Sequence, residues 1–232
     1  MITRFVSRIQ LHAKGALIAS LALFSVAALA ARIELLDAKN MFCDKLAQES
    51  ACLALRLTGE LKPGDNDRLI EFIARLERTI DQKPYSRVGT VFLNSPGGEM
   101  QEALKIGRTI RNHKIVTVVA QPSQCASACV IILAGGVMRF PVGIVEVHSF
   151  YSPDLLGTRE YGKAEEQYKQ MQLQVSEYLR EMRIPAALLD EMMRIPYNRS
   201  RALGLAELER LSLIGIDPVY AQVRPAPPGR SW

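Results

Sequence analysis

Apolar positions along the chain fall into short runs that alternate with amphipathic stretches. CLALRLTGEL at 52–61 alternates with a period near two and reads as a strand, closed by the turn KPGDND. Over 66–80, Leu69, Phe72, Ile73, Leu76 and Ile80 share one face of a helix. After the loop QKPYSR, the run VGTVFLN reads as a buried strand that breaks into Asn94-Ser95-Pro96-Gly97-Gly98. EMQEALKIGRTIRN restarts as a helix with Met100, Ala103, Leu104, Gly107 and Ile110 turned inward, and IVTVVA at 115–120 is the next apolar strand. Between 161 and 182, Tyr168, Met171, Val175, Tyr178, Leu179 and Met182 recur at three- and four-residue spacing, which marks a long helix with one apolar stripe. Continuous apolar strands alternating with helices imply a mainly parallel sheet joined by right-handed crossovers.

The ends of the chain read differently. Residues 1–31 combine a basic start, with Arg4, Arg8 and Lys14, and the uncharged apolar stretch GALIASLALFSVAALAA. Ala28-Leu29-Ala30 fits a signal-peptidase site, yet the stretch also reaches the lower limit for a membrane span. Either way the rest of the chain is exported: an inner-membrane anchor with a periplasmic domain, or a periplasmic protein after cleavage. The long basic region and the helix-like continuation ARIELLDAKNMF favour the anchor, and 32–51 reads as a helical linker. The main domain is expected over 52–223, and the Pro-rich 224–232 reads as a disordered tail.

With 232 residues, 48% apolar and 23% charged, the chain has enough material for one sizeable core. Three of the charges behind the net +5 lie in the N-terminal segment, and no basic patch interleaved with aromatics occurs elsewhere. No nucleic-acid partner is expected. The cysteines, Cys43, Cys52, Cys125 and Cys129, all follow the export segment. In an oxidising compartment disulfides are open to them, Cys43 with Cys52 and Cys125 with Cys129, and for the second pair buried free thiols fit equally. Zinc fits less well, because neither pair has a second ligand pair at structural-site spacing, so no metal is expected.

The chemistry concentrates in QPSQCASACVIILAGGVMRFPVGIVEVH at 121–148. Ser127 lies among small residues where a polar loop gives way to an apolar helix, and helix-start amides such as that of Ala128 suit a developing oxyanion. A serine hydroxyl needs a base, and His148 at the end of IVEVH is the only histidine downstream. Taken singly, such a serine is usually an N-cap and such a histidine structural. Gly97-Gly98 shifts the balance, since paired glycines allow the backbone to turn its amides toward a bound carbonyl.

NSPGG, CASAC followed by IILAGG, and EVHSF, in this order, resemble the proteolytic subunit of Clp protease and the signal peptide peptidase A family, over roughly residues 53–220. The resemblance implies the ClpP/crotonase-like spiral of ββα units. It also implies a serine endopeptidase that uses a Ser127/His148 pair, an oxyanion loop at Gly97 and Gly98 with Ala128, a peptide or protein substrate and no cofactor. A possible homo-oligomer through the long helix is implied as well. Crotonases bind acyl-CoA on the same scaffold, but nothing in this sequence points to CoA. In the resembled family an acid ahead of the last helix orients the histidine, and the corresponding region here holds no carboxylate. Asn198 is the candidate to orient the ring as an amide. The alternatives are a dyad, or a catalytically weak protein that keeps the groove as a peptide-binding or scaffold module.

Overall fold

The computed structural model describes residues 30–36, 52–79, 87–150 and 161–223. The export segment up to residue 29, Cys43 and the tail 224–232 lie outside the described residues. Ala31, the last residue of the apolar stretch, is buried in the domain, and its N–H donates to the Asp65 carboxylate at 3.3 Å.

One sheet carries six strands in the order β1 (Arg32–Leu36), β2 (Cys52–Thr58), β3 (Arg87–Asn94), β4 (Val116–Val119), β6 (Met138–Pro141) and β9 (Gly215–Ile216). Its inner pairs are parallel, and the two outer strands run antiparallel. A second sheet of β5 (Gln124–Ala126), β7 (Ile144–Val147) and β8 (Arg201–Ala202) carries the segments on either side of the candidate chemistry. The helix-like reading of ARIELLDAKNMF is corrected at its start. Arg32–Leu36 is an edge strand paired residue for residue with 54–58, and Ile33 packs on the core.

Three helices appear close to where periodicity placed them, α1 (Asp65–Thr79), α2 (Met100–Asn112) and α4 (Tyr161–Glu181); α3 (Ala128–Gly135) begins at the Ser127 junction and α6 (Leu205–Arg210) follows the Asn198 region, neither of them marked by periodicity. The short helices α5 (Ala187–Arg194) and α7 (Pro218–Val223) complete the set among the described residues. α3 is apolar on every side and wholly buried, which suits a central helix rather than an amphipathic surface one. The α4 stripe packs on the chain's own core, with Val175, Tyr178, Leu179 and Met182 buried.

Three elements meet at a point where only glycine fits. A Cβ on Gly135 of α3 would lie 2.7 Å from the Gly107 Cα of α2, and one on Gly107 would collide with the Tyr178 hydroxyl of α4. That hydroxyl donates to the Ile131 carbonyl at 2.8 Å, so the contact also fixes α3, the helix that starts directly after Ser127. Gly107→Ala is therefore expected to destabilise the protein by about 2–3 kcal/mol, the cost of overpacking a filled core. Urea unfolding checks it, and adding Tyr178→Phe should recover part of the loss. Below α3, buried Arg139 donates to the carbonyls of Ala134, Ser212 and Met182. Burial and neighbouring Arg111 pull its pKa down to about 10, while Asp217, bonded to Arg111 at 3.0 Å, offsets them.

Candidate active site

Ser127 is the single residue between β5 and α3, and it takes φ 55° and ψ −125°. A non-glycine residue in such a region costs on the order of 1–3 kcal/mol and persists only where its surroundings enforce it. The sequence placed the serine at a loop-to-helix junction; the structure makes it a sharp strand-to-helix elbow. Its N–H donates to the Glu146 carbonyl at 3.0 Å, and its carbonyl accepts from Val130 N–H at 3.0 Å. Although it occupies the N-cap position, its side chain makes no capping hydrogen bond. The hydroxyl is thus not spent on the helix, which separates this serine from an ordinary cap.

Cys125 and Cys129 are joined by a disulfide, with Cα atoms 5.2 Å apart. A regular helix would direct two side chains four apart poorly for this bond. Here one cysteine lies in β5 and the other in α3, so the elbow brings them face to face. Cys52 is in β2, and its candidate partner Cys43 lies outside the described residues.

The NSPGG segment is clamped from two sides. Ser95 bridges to Cys125 of β5, with Ser95 N–H to Gln124 O at 2.9 Å and Ala126 N–H to Ser95 O at 3.0 Å. On the opposite side, Gly98 bridges to Leu61, with Leu61 N–H to Gly97 O at 2.7 Å and Glu99 N–H to Leu61 O at 3.0 Å. In a parallel ladder the bridged residue's own N–H points away from its partner, so the Gly98 amide faces away from Leu61. The Gly97 amide is already taken by Ser95 Oγ at 3.1 Å. Of the two glycines, Gly98 is then the donor open to a ligand and Gly97 the spacer: a Cβ there would lie 2.7 Å from Ser127 Cβ and 3.0 Å from Ala128 N. Ala128 opens α3, where helix geometry leaves its N–H without an intrahelical acceptor.

His148, half-buried just past β7, holds Nδ1 at 2.8 Å from the carbonyl oxygen of Ser149. A carbonyl only accepts, so Nδ1 carries the hydrogen in this bond and the neutral ring presents Nε2 as a lone pair. Ser127 and His148 line one groove of about 980 Å³ together with Pro96, Gly97, Gly98 and Glu99. Its apolar wall comes from Leu61, Met100, Phe150, Tyr168 and Met171; Phe150 belongs to the stretch after His148 that reads from the sequence as a groove wall, and no motif marked the other four as lining.

Asn198 is not brought to this groove. It is exposed in the turn between α5 and β8. The turn is tied to the histidine strand through the backbone, by Ser149 N–H to Ile195 O at 2.8 Å and by the pairing of Val147 with Arg201. Among the described residues, no cluster of three or more His, Cys, Asp or Glu side chains is placed to hold a metal, and no helix is long and apolar enough to cross a membrane.

A mainly parallel sheet with this elbow and glycine loop defines a ClpP-like fold. Among solved structures, a mutant of ClpP1 from Listeria monocytogenes is similar at a TM-score of 0.50 and 17% identity, covering 75% of this chain and 94% of that one. A mutant of a membrane-bound stomatin-specific protease is similar at a TM-score of 0.48 and 17% identity, covering 71% of this chain and 77% of that one. No protein-family model matches the sequence, and no curated protein matches it.

Proposed function

We propose that the protein is an exported serine endopeptidase of the ClpP fold. The observation that carries the reading is Ser127: a non-glycine residue held at positive φ, its hydroxyl unused for capping, in the groove that also holds His148. In the proposed reaction, Ser127 Oγ attacks a peptide carbonyl carbon as its proton passes to His148 Nε2. The oxyanion is held by the N–H groups of Gly98 and Ala128. The imidazolium then protonates the leaving amine, and a water deprotonated by the same ring releases the acyl group. The experiment that tests this is incubation of the full chain with a fluorophosphonate probe and mass spectrometry of the labelled peptide. Labelling at Ser127 is expected, and a protein that takes no label would leave the groove as a peptide-binding scaffold.

In this mechanism the Ser149 carbonyl, rather than a carboxylate or Asn198, fixes the tautomer of His148. Asn198→Ala is then expected to keep kcat/KM within about twofold of the parent, whereas tenfold loss or more would restore Asn198 as the orienting group. Export is supported by the apolar stretch at 15–31 behind its basic residues and by the bridged cysteines, since disulfides persist in oxidising compartments. Alkaline phosphatase fused after Trp232 is expected to be active in cells, and an inactive fusion present at full length would overturn the export reading.

A further inference from the structure

We propose that the Cys125–Cys129 disulfide is a positioning device for Ser127, holding it as a nucleophile and preventing it from relaxing into an ordinary N-cap. This inference rests on the serine-peptidase reading above. Only Ala126, Ser127 and Ala128 separate the bridged residues, so the bond spans the elbow and nothing else. Cys125 is anchored on both sides, bridging to Ser95 and pairing with Val145 of β7, while Cys129 sits in the first turn of the wholly buried α3. The bond therefore ties a fixed strand to a fixed helix across the one strained residue between them.

The need for such a tie follows from what the serine does not do. A helix start is commonly held by the N-cap hydroxyl, which accepts from the N–H two or three residues on. Ser127 makes no such bond, yet the helix begins at the next residue. With the bridge open, the elbow loses its covalent restraint. Ser127 can then return to negative φ and place Oγ on the amides of Cys129 or Val130, which removes both the strain and the nucleophile. A bridge that closes so short a loop removes little freedom from the unfolded chain, so its effect falls on local geometry more than on global stability.

Opening the bridge takes two electrons and two protons. A small dithiol supplies them, its own thiols closing into a disulfide as Cys125 and Cys129 become thiols. Both cysteines are 0% exposed, so the bond is shielded in the folded protein, and reduction is followed by alkylation and mass spectrometry of the 125–129 peptide. The test compares oxidised full chain, chain with this bridge reduced, and Cys125→Ala/Cys129→Ala. Each is measured for the fluorophosphonate labelling rate at Ser127, the Kd of a product peptide and Tm.

The expected result is a labelling rate at least tenfold lower in the reduced and variant proteins, with the product-peptide Kd within twofold and recovery of the rate on reoxidation of the reduced parent. The variant should not respond to the dithiol. Equal labelling of oxidised and reduced protein would overturn the proposal, as would alkylation of both cysteines without reductant. A labelling loss that disappears once rates are normalised to folded peptide-binding sites would assign the bridge to stability and overturn it as well. An oxidised parent that takes no label at all would instead remove the serine-peptidase reading, and the inference would fall with it.

Discussion

Ser127→Ala is expected to abolish peptide cleavage and fluorophosphonate labelling, and His148→Ala to match its loss of cleavage. The two groups act as a unit: without the base the hydroxyl stays a weak nucleophile, and without the hydroxyl the base has nothing to deprotonate. Losses of about 10⁴-fold or more in kcat are the scale for such a pair, with any residue of activity coming from binding and the oxyanion donors. Stability should hardly change in Ser127→Ala. The hydroxyl makes no capping bond, and alanine inherits the same positive φ under the same backbone restraints from Glu146 and Val130. A loss of about 1 kcal/mol, the usual cost of removing a cap, would favour the structural reading of the serine. A pH–rate series in which His148→Ala keeps full activity would show that another group is the base.

Gly97→Ala is expected to lower kcat by about 100-fold or more while leaving the fold intact, because a displacement of roughly 1 Å at a reacting atom costs that much. The added methyl would stand 2.7 Å from Ser127 Cβ, 2.8 Å from the Ala126 carbonyl oxygen and 3.0 Å from Ala128 N. Two of these three are backbone atoms of the elbow and cannot swing aside, and φ of 100° adds strain for any side chain. The nucleophile or the oxyanion donor must therefore shift. Gly98 differs: a Cβ there would lie 2.6 Å from Leu61 N, so its cost falls first on the bridge between the loop and Leu61. A single-turnover measurement separates the two, with Gly97→Ala slow in acylation at saturating peptide and Gly98→Ala weakened in peptide binding also. Unchanged kcat in Gly97→Ala would show that this glycine serves only the turn.

The outline of the fold was legible because it follows from periodicity, which is a property of the covalent chain. Spacings of three and four placed α1, α2 and α4, and continuous apolar runs placed β3 and β4, each without knowledge of any partner. NSPGG, CASAC and the terminal His148 of IVEVH could likewise be singled out, since chain reversals next to apolar runs need glycine, proline and small residues wherever they occur. Short elements were another matter. β5, β6, β8 and the strand at Arg32–Leu36 have two to five residues each, too few for a period to show, and each exists because a neighbour distant in sequence offers it a hydrogen-bonded edge.

Within the site the sequence supplied the residue types and the tertiary structure assigned their work. Nothing local says that Ser95 Oγ occupies the Gly97 amide and leaves Gly98 as the open donor; that depends on β5 on one side and Leu61 on the other. Nothing local says that Nδ1 of His148 finds a carbonyl one residue away while Asn198 stays in an exposed turn, because ring orientation is set by the path of the chain after β7. The pair Cys125 and Cys129 left thiol and disulfide equally open on paper. Folding decided between them by putting a strand end and a helix start back to back, with Ser127 caught between.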